Sequence, residues 1–71
     1  MYLQKNMKYL KERSGLSFEK LSSESGVSAK SLYTLVHTDG KNITVQTMVR
    51  ISEYFKYSID DLIYTDITHK K

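Results

Sequence analysis

The chain has 71 residues, with no cysteine, no proline and only two histidines. A domain of this length buries only about 60% of the surface that its unfolded chain exposes, which leaves room for one hydrophobic core and not two. Without cysteine, neither a disulfide framework nor a thiolate zinc site can stabilise so small a body.

No stretch approaches the roughly 18 consecutive apolar residues of a membrane span, and the opening residues lack the apolar segment of a secretory signal. The expectation is therefore a soluble intracellular protein, one domain over residues 1–71, with no membrane partner. The formal charge is +3, and residues 1–41 carry seven basic side chains against four acidic ones. Residues 42–69 carry two against four, and Lys70 and Lys71 restore the balance. A basic first half suits an anionic partner.

In chain order, Leu3, Met7 and Leu10 recur at the spacing of one helix face, which predicts a first helix from about Leu3 to Ser14, ended by Gly15. Ser17 is placed to cap a second helix, Phe18 to Ser25, with Leu21 as its core residue. After Gly26 and Val27, Ser28 offers the same cap to a third helix reaching about His37, with Leu32, Leu35 and Val36 as its apolar stripe.

Residues 38–43 concentrate turn formers and read as a surface loop. Thr44 caps a fourth helix running to Tyr54 or Phe55, in which Val45, Met48, Val49, Ile51, Ser52 and Phe55 outline a broad apolar face. Ser58 and Asp61 have the spacing of a capping box and start a short fifth helix to about Tyr64. The tail, 65–71, is expected to fray or to pack against a partner. Tyr54, Tyr57 and Tyr64 with Ile59, Ile63 and Ile67 are candidates for core or for dimer contacts. Only some of them can be buried in so small a domain, and they point to the C-terminal third as the self-association surface. The fold class is all-α.

Catalysis finds no support: there is no Ser/His/Asp arrangement, phosphate loop or dinucleotide motif. His37 and His69 lack metal-ligand spacing, so no metal or cofactor is expected. Asp60 and Asp61 are adjacent, face different ways on a helix and are better explained as capping residues.

The informative segment is Leu16-Ser-Phe-Glu-Lys-Leu-Ser-Ser-Glu-Ser-Gly-Val-Ser-Ala-Lys-Ser-Leu-Tyr-Thr-Leu-Val36. Two short helices flank a Ser-Gly-Val-Ser turn, a helix-turn-helix signature over about 17–37. It resembles the Cro/CI (XRE-type) family of phage repressors and bacterial regulators. The likeness extends to Asn6-Met-Lys-Tyr-Leu-Lys-Glu-Arg-Ser-Gly15, to Thr47-Met-Val-Arg-Ile-Ser-Glu-Tyr-Phe55 and to Ser58-Ile-Asp-Asp-Leu62, so that about residues 4–64 are covered.

The resemblance implies a five-helix, lambda-repressor-like domain, dimeric on double-stranded operator DNA, whose third helix reads bases. Carried over position by position, Ser28, Ala29, Lys30, Ser31 and Thr34 face the groove and Ser17 faces a phosphate. Lys41 and Asn42 lie in the loop with which the family commonly touches the DNA backbone. Lys30 leads as a contact, because its ammonium can donate to guanine O6 or N7 or to a phosphate.

The sequence also departs from the family pattern. Phe18 stands where many members have glutamine, Ala29 where a polar glutamine or arginine is frequent, and Val36 where an acidic residue is usual. Asn42-Ile-Thr44 replaces Asn-Pro-Ser. Phe18, Ala29, Tyr33 and Val36 thereby form a candidate protein interface on the expected DNA face.

Two functions follow. One is a promoter-occluding, homodimeric DNA-binding regulator of a lysis-lysogeny type genetic switch. The other is an antirepressor, of the modulator-of-repression kind found in phages, that forms a heterodimer with a CI-type repressor and blocks its DNA binding.

Overall fold

The computed structural model describes residues 1–38 and 43–69. Its α-helices are α1 (Leu3–Ser14), α2 (Phe18–Ser25), α3 (Ala29–His37), α4 (Val45–Phe55) and α5 (Ile59–Tyr64), followed by one 3-10 turn, Ile67–His69. There is no strand among the described residues. Lys41 and Asn42 lie outside them.

Local chemistry explains most of these boundaries. Four helices start at a hydroxyl residue whose oxygen accepts the amide three positions on: Ser17 from Lys20, Ser28 from Ser31, Thr44 from Thr47 and Ser58 from Asp61. Each bond satisfies one of the amides that a helix start leaves without a partner. At the other end, Gly15 and Gly26 adopt left-handed backbone at φ 70° and 80°, which closes α1 and α2 at little steric cost. The Ser58–Asp61 box is half formed: the Asp61 carboxylate accepts from the Thr65 hydroxyl, toward the far end of α5.

The helices surround a core made of Leu3, Met7, Leu10, Leu21, Val27, Leu32, Leu35, Val36, Met48, Ile51, Leu62 and Ile67. α3 packs on both α1 and α2, α5 packs on α1 and α4, and α4 also meets α2. The buried stripe of α4 is narrower than its sequence suggests. Met48 and Ile51 are buried and Phe55 is half-buried, whereas Val45 is 78% and Val49 38% exposed. At 100° per residue, the two valines fall to one side of the Met48–Ile51–Phe55 line and escape the core.

The tail differs from expectation as well. Ile67 is completely buried and the 3-10 turn packs on α1, so residues 65–69 belong to the folded body. Of the aromatic and aliphatic residues read as core or dimer contacts, Ile67 is core. Tyr54, Tyr57, Ile59 and Ile63 are half-buried, and Tyr64 is 72% exposed.

Asn6 fixes this end of the molecule. It is fully buried and is the one polar residue in the interior among those described. Its amide nitrogen donates to the carbonyls of Leu62 (2.8 Å) and Thr65 (2.7 Å), and its amide oxygen accepts the Ile67 N–H (3.1 Å). The Tyr2 N–H reaches the Ile63 carbonyl alongside. An asparagine suits this place because it supplies two donors and an acceptor from one uncharged group.

Asn6→Ala strips two buried carbonyls and an amide of their partner, and is expected to lower unfolding free energy by about 2–4 kcal/mol in urea melts. Asn6→Asp should cost at least as much, since an oxygen then faces the carbonyls. A loss below about 0.5 kcal/mol in either variant would mean that the three bonds are not structural.

Beside this junction, Asp66 pairs with Lys5 at 2.8 Å and accepts from the amide and hydroxyl of Thr68. The hydrogen bonds from Lys5 and then Thr68 hold its carboxyl down at about 2, against an ordinary 3.8. A depressed carboxyl pKa stabilises the fold above the unfolded value, and that contribution disappears as pH falls through the folded value. Stability should therefore decline between pH 3.8 and about 2, and Asp66→Asn should flatten that part of the profile measured by denaturation at each pH. An unchanged acid limb in the variant would assign the decline to other groups.

Candidate nucleic-acid interface

The turn between α2 and α3 is built from short-range bonds and then braced from behind. The Ser25 hydroxyl accepts the Val27 N–H, Val27 is buried, and Ser28 caps α3. From α4, the Arg50 guanidinium donates to the Gly26 carbonyl at 3.3 Å. A Cβ at position 26 would lie 2.7 Å from that guanidinium nitrogen, so both backbone conformation and space favour glycine here.

One turn further along α4, the Tyr54 hydroxyl donates to the Glu24 carboxylate. That bond, helped by lost hydration and by the carboxylate's charge, raises the phenol above its ordinary 10.0. Lys20 stands 3.8 Å from the second Glu24 oxygen. Through Arg50 and Tyr54, α4 fixes the end of α2 and the start of the turn, and hence the angle at which α3 leaves.

α3 itself is divided lengthwise. Leu32, Leu35 and Val36 point into the core, while Lys30, Tyr33 and His37 are exposed and follow one another at intervals of three and four residues. Ala29, Ser31 and Thr34 flank that line and are half-buried. The Ser28 hydroxyl is engaged within the cap: it accepts the Ser31 N–H and donates to the Ser31 hydroxyl oxygen at 2.9 Å. Ser31 keeps its own proton to donate outward. Ser17 is exposed at the start of α2, where its oxygen serves the Lys20 amide.

The proposed apolar patch is only partly realised. Val36 is 6% exposed and packs among core residues, so it offers little surface and only at the floor of a depression; the α3 stripe that includes Leu32 and Leu35 carries it inward. Phe18 and Tyr33 do meet, edge to face at 5.6 Å between ring centres. His37 completes the group, 4.2 Å from Tyr33 and 6.3 Å from Phe18, and the Lys11 ammonium lies 4.7 Å from the centre of the Phe18 ring. A shallow depression of about 190 Å³ opens beside it, lined by Lys8, Lys11, Glu12, Phe18, Val36 and His37.

His37 and the α4 brace were not identified from the residues alone. The signal for His37 is its four-residue spacing from Tyr33, which places both rings on one helix face. Arg50 and Tyr54 carry no comparable signal, because their partners are 24 and 30 residues away. Among the described residues, no group of histidine, aspartate and glutamate side chains is arranged to hold a metal ion, and no helix is long and apolar enough to cross a membrane.

A convex helix with a capped start, one exposed lysine and small hydroxyl residues has the form and chemistry of a major-groove reader. Base edges can be met by Lys30, Ser31 and Thr34, and phosphates by backbone amides at the starts of α2 and α3. The sequence model of the Cro/C1-type HTH DNA-binding domain matches residues 6–66, which include all five helices except the first turn of α1. No curated protein and no solved structure gives a match. With the family model covering most of the chain and the helix-turn-helix in place at its centre, this protein belongs to the Cro/C1-type helix-turn-helix DNA-binding family.

Proposed function

We propose that this DNA-binding regulator is of the small phage type, that it occupies operator DNA as a homodimer through α3, and that it acts by occluding a promoter in a lysis-lysogeny type switch. The observation that carries this reading is the outer face of α3, where Lys30 stands exposed at the helix start. Ser28, Ala29, Ser31 and Thr34 surround it as lesser contacts, Ser17 marks the phosphate-facing start of α2, and Lys41 and Asn42 supply backbone contacts. Such an arrangement divides the work in the usual way, phosphate groups setting register and base edges setting sequence.

The expected result is that Lys30→Ala lowers affinity for the intergenic DNA flanking its own gene by about tenfold to a hundredfold, while random-sequence DNA changes by less than about threefold. Lys41→Ala should weaken both DNAs about equally and reduce the slope of log affinity against log salt by about 1. Fluorescence titrations at several salt concentrations measure both. Equal losses on every sequence for Lys30→Ala would remove it from base reading.

A second reading, antirepression through a heterodimer with a CI-type repressor, is favoured by one observation: the Phe18–Tyr33–His37 rings place aromatic surface on the face otherwise suited to DNA. Aromatic anchors are typical of protein interfaces. On this reading, adding the chain to repressor-bound operator releases the DNA, and the chain alone retains none. Release should then be abolished by Tyr33→Asp; a variant that still releases DNA would exclude this patch as the contact.

A further inference from the structure

Tyr33 stands out among the side chains on the outer face of α3. It is 55% exposed, yet its ring is held from two directions: edge to face by Phe18 from the start of α2, and at 4.2 Å by His37 one turn along α3. Lys11 in turn lies over Phe18, so the bracing reaches back to α1. A long exposed side chain ordinarily loses rotamer freedom when it docks, and that loss weakens binding. Here the ring is constrained before any partner arrives. Its position is three residues beyond Lys30 and four beyond Ala29, which puts it in the same line as the lysine.

From this geometry we infer that Tyr33 is a specificity-determining residue of the DNA contact, a pre-positioned aromatic wedge whose ring meets the C5-methyl group of a thymine in the major groove. The inference rests on the DNA-binding reading above. The thymine methyl is the one apolar group that distinguishes base pairs in the major groove, and an aromatic ring on a reading helix is chemically matched to it. Phe18 and His37 are positioning residues: they set the ring and do not touch the base. On this proposal the ring carries the sequence preference and the Tyr33 hydroxyl does not.

The test is selection from a pool of random-sequence DNA duplexes with the full chain, followed by the same selection with Tyr33→Ala and Tyr33→Phe. Wild type and Tyr33→Phe are expected to enrich one common motif. Tyr33→Ala should enrich that motif with a single thymine position degenerate. Replacing that thymine with uracil, which removes only the methyl group, should lower wild-type affinity about fourfold, as expected for one buried methyl, and leave Tyr33→Ala unchanged. Phe18→Leu should show a smaller uracil effect than wild type while keeping the rest of the motif.

If Tyr33→Ala enriches an unaltered motif, or if uracil affects it as much as wild type, the wedge is wrong while the DNA-binding reading stands. Degeneracy at a G·C pair in place of the thymine also overturns it. A wild-type chain that enriches no motif overturns the sequence-specific DNA reading together with the wedge. Circular dichroism melts of each variant verify that it is folded, so that lost preference is read at the ring.

Discussion

The architecture depends on a single amide. Asn6 connects its own helix to residues 56, 59 and 61 positions away, and no other buried side chain among those described makes polar contacts. Its bonds hold the end of α5 and the tail against α1, and that closure removes Leu62 and Ile67 completely from solvent. In a domain with so little interior, two such residues are a large part of the core. α1 is also the surface on which α3 packs, so the Asn6 junction and α3 share one supporting helix. A leucine at position 6 would fit the helix pattern but could not satisfy two carbonyls and an amide. The polar group thus fixes which segments meet, where apolar packing alone would tolerate several arrangements.

α3 is accordingly held from three sides. α1 packs beneath it, α2 leads into it through the Gly26 turn, and α4 grips that turn through Arg50 and Tyr54. Both α4 contacts are made at the protein surface, where each adds little stability. Their effect is geometric. They restrict the angle between α2 and α3, and a reading helix must be held closely if a change at one side chain is to be felt at one base pair.

What could be read from the residues and what could not differ by the range of the interaction responsible. Helix starts at Ser17, Ser28, Thr44 and Ser58, and ends at Gly15 and Gly26, are decided within four residues and were legible. So was the inward stripe of α3. The fate of Val45 and Val49 was not, because both lie at the margin of an apolar arc whose width is set by the helices packed on it. Val36 has two readings, inward from its place in the apolar stripe of α3 and outward from the family comparison, and α3's packing carries it inside as the stripe implies. The tail offered one apolar residue, Ile67, and its docking depends on a partner, Asn6, 61 residues earlier. In the candidate site, the exposed position of Lys30 and the placement of Tyr33 and His37 on one helix face follow from spacing along α3, whereas the contact of Phe18 with Tyr33 arises only when α2 and α3 are brought to their angle.

Charge and shape contribute unequally to that site. The net charge is only +3, Lys20 is close to Glu24, and Lys5 is paired with Asp66. Sequence-independent attraction to DNA grows with the number of phosphates neutralised, and a net charge this small limits it. On the proposed DNA reading, discrimination comes from contacts that work at short range: amides at capped helix starts, the Lys30 ammonium, and rings whose positions are fixed before binding. The same economy of charge explains why the aromatic face is chemically suited to two kinds of partner. Removing water from a held ring is favourable against a base edge and against a protein side chain alike. The polar groups around it decide between them: the Lys30 ammonium and several hydroxyls on convex α3, and the Lys11 ammonium over Phe18. Those groups match the acceptor-rich floor of a groove better than the apolar centre of a protein interface, where an unpaired ammonium would lose its hydration without recompense.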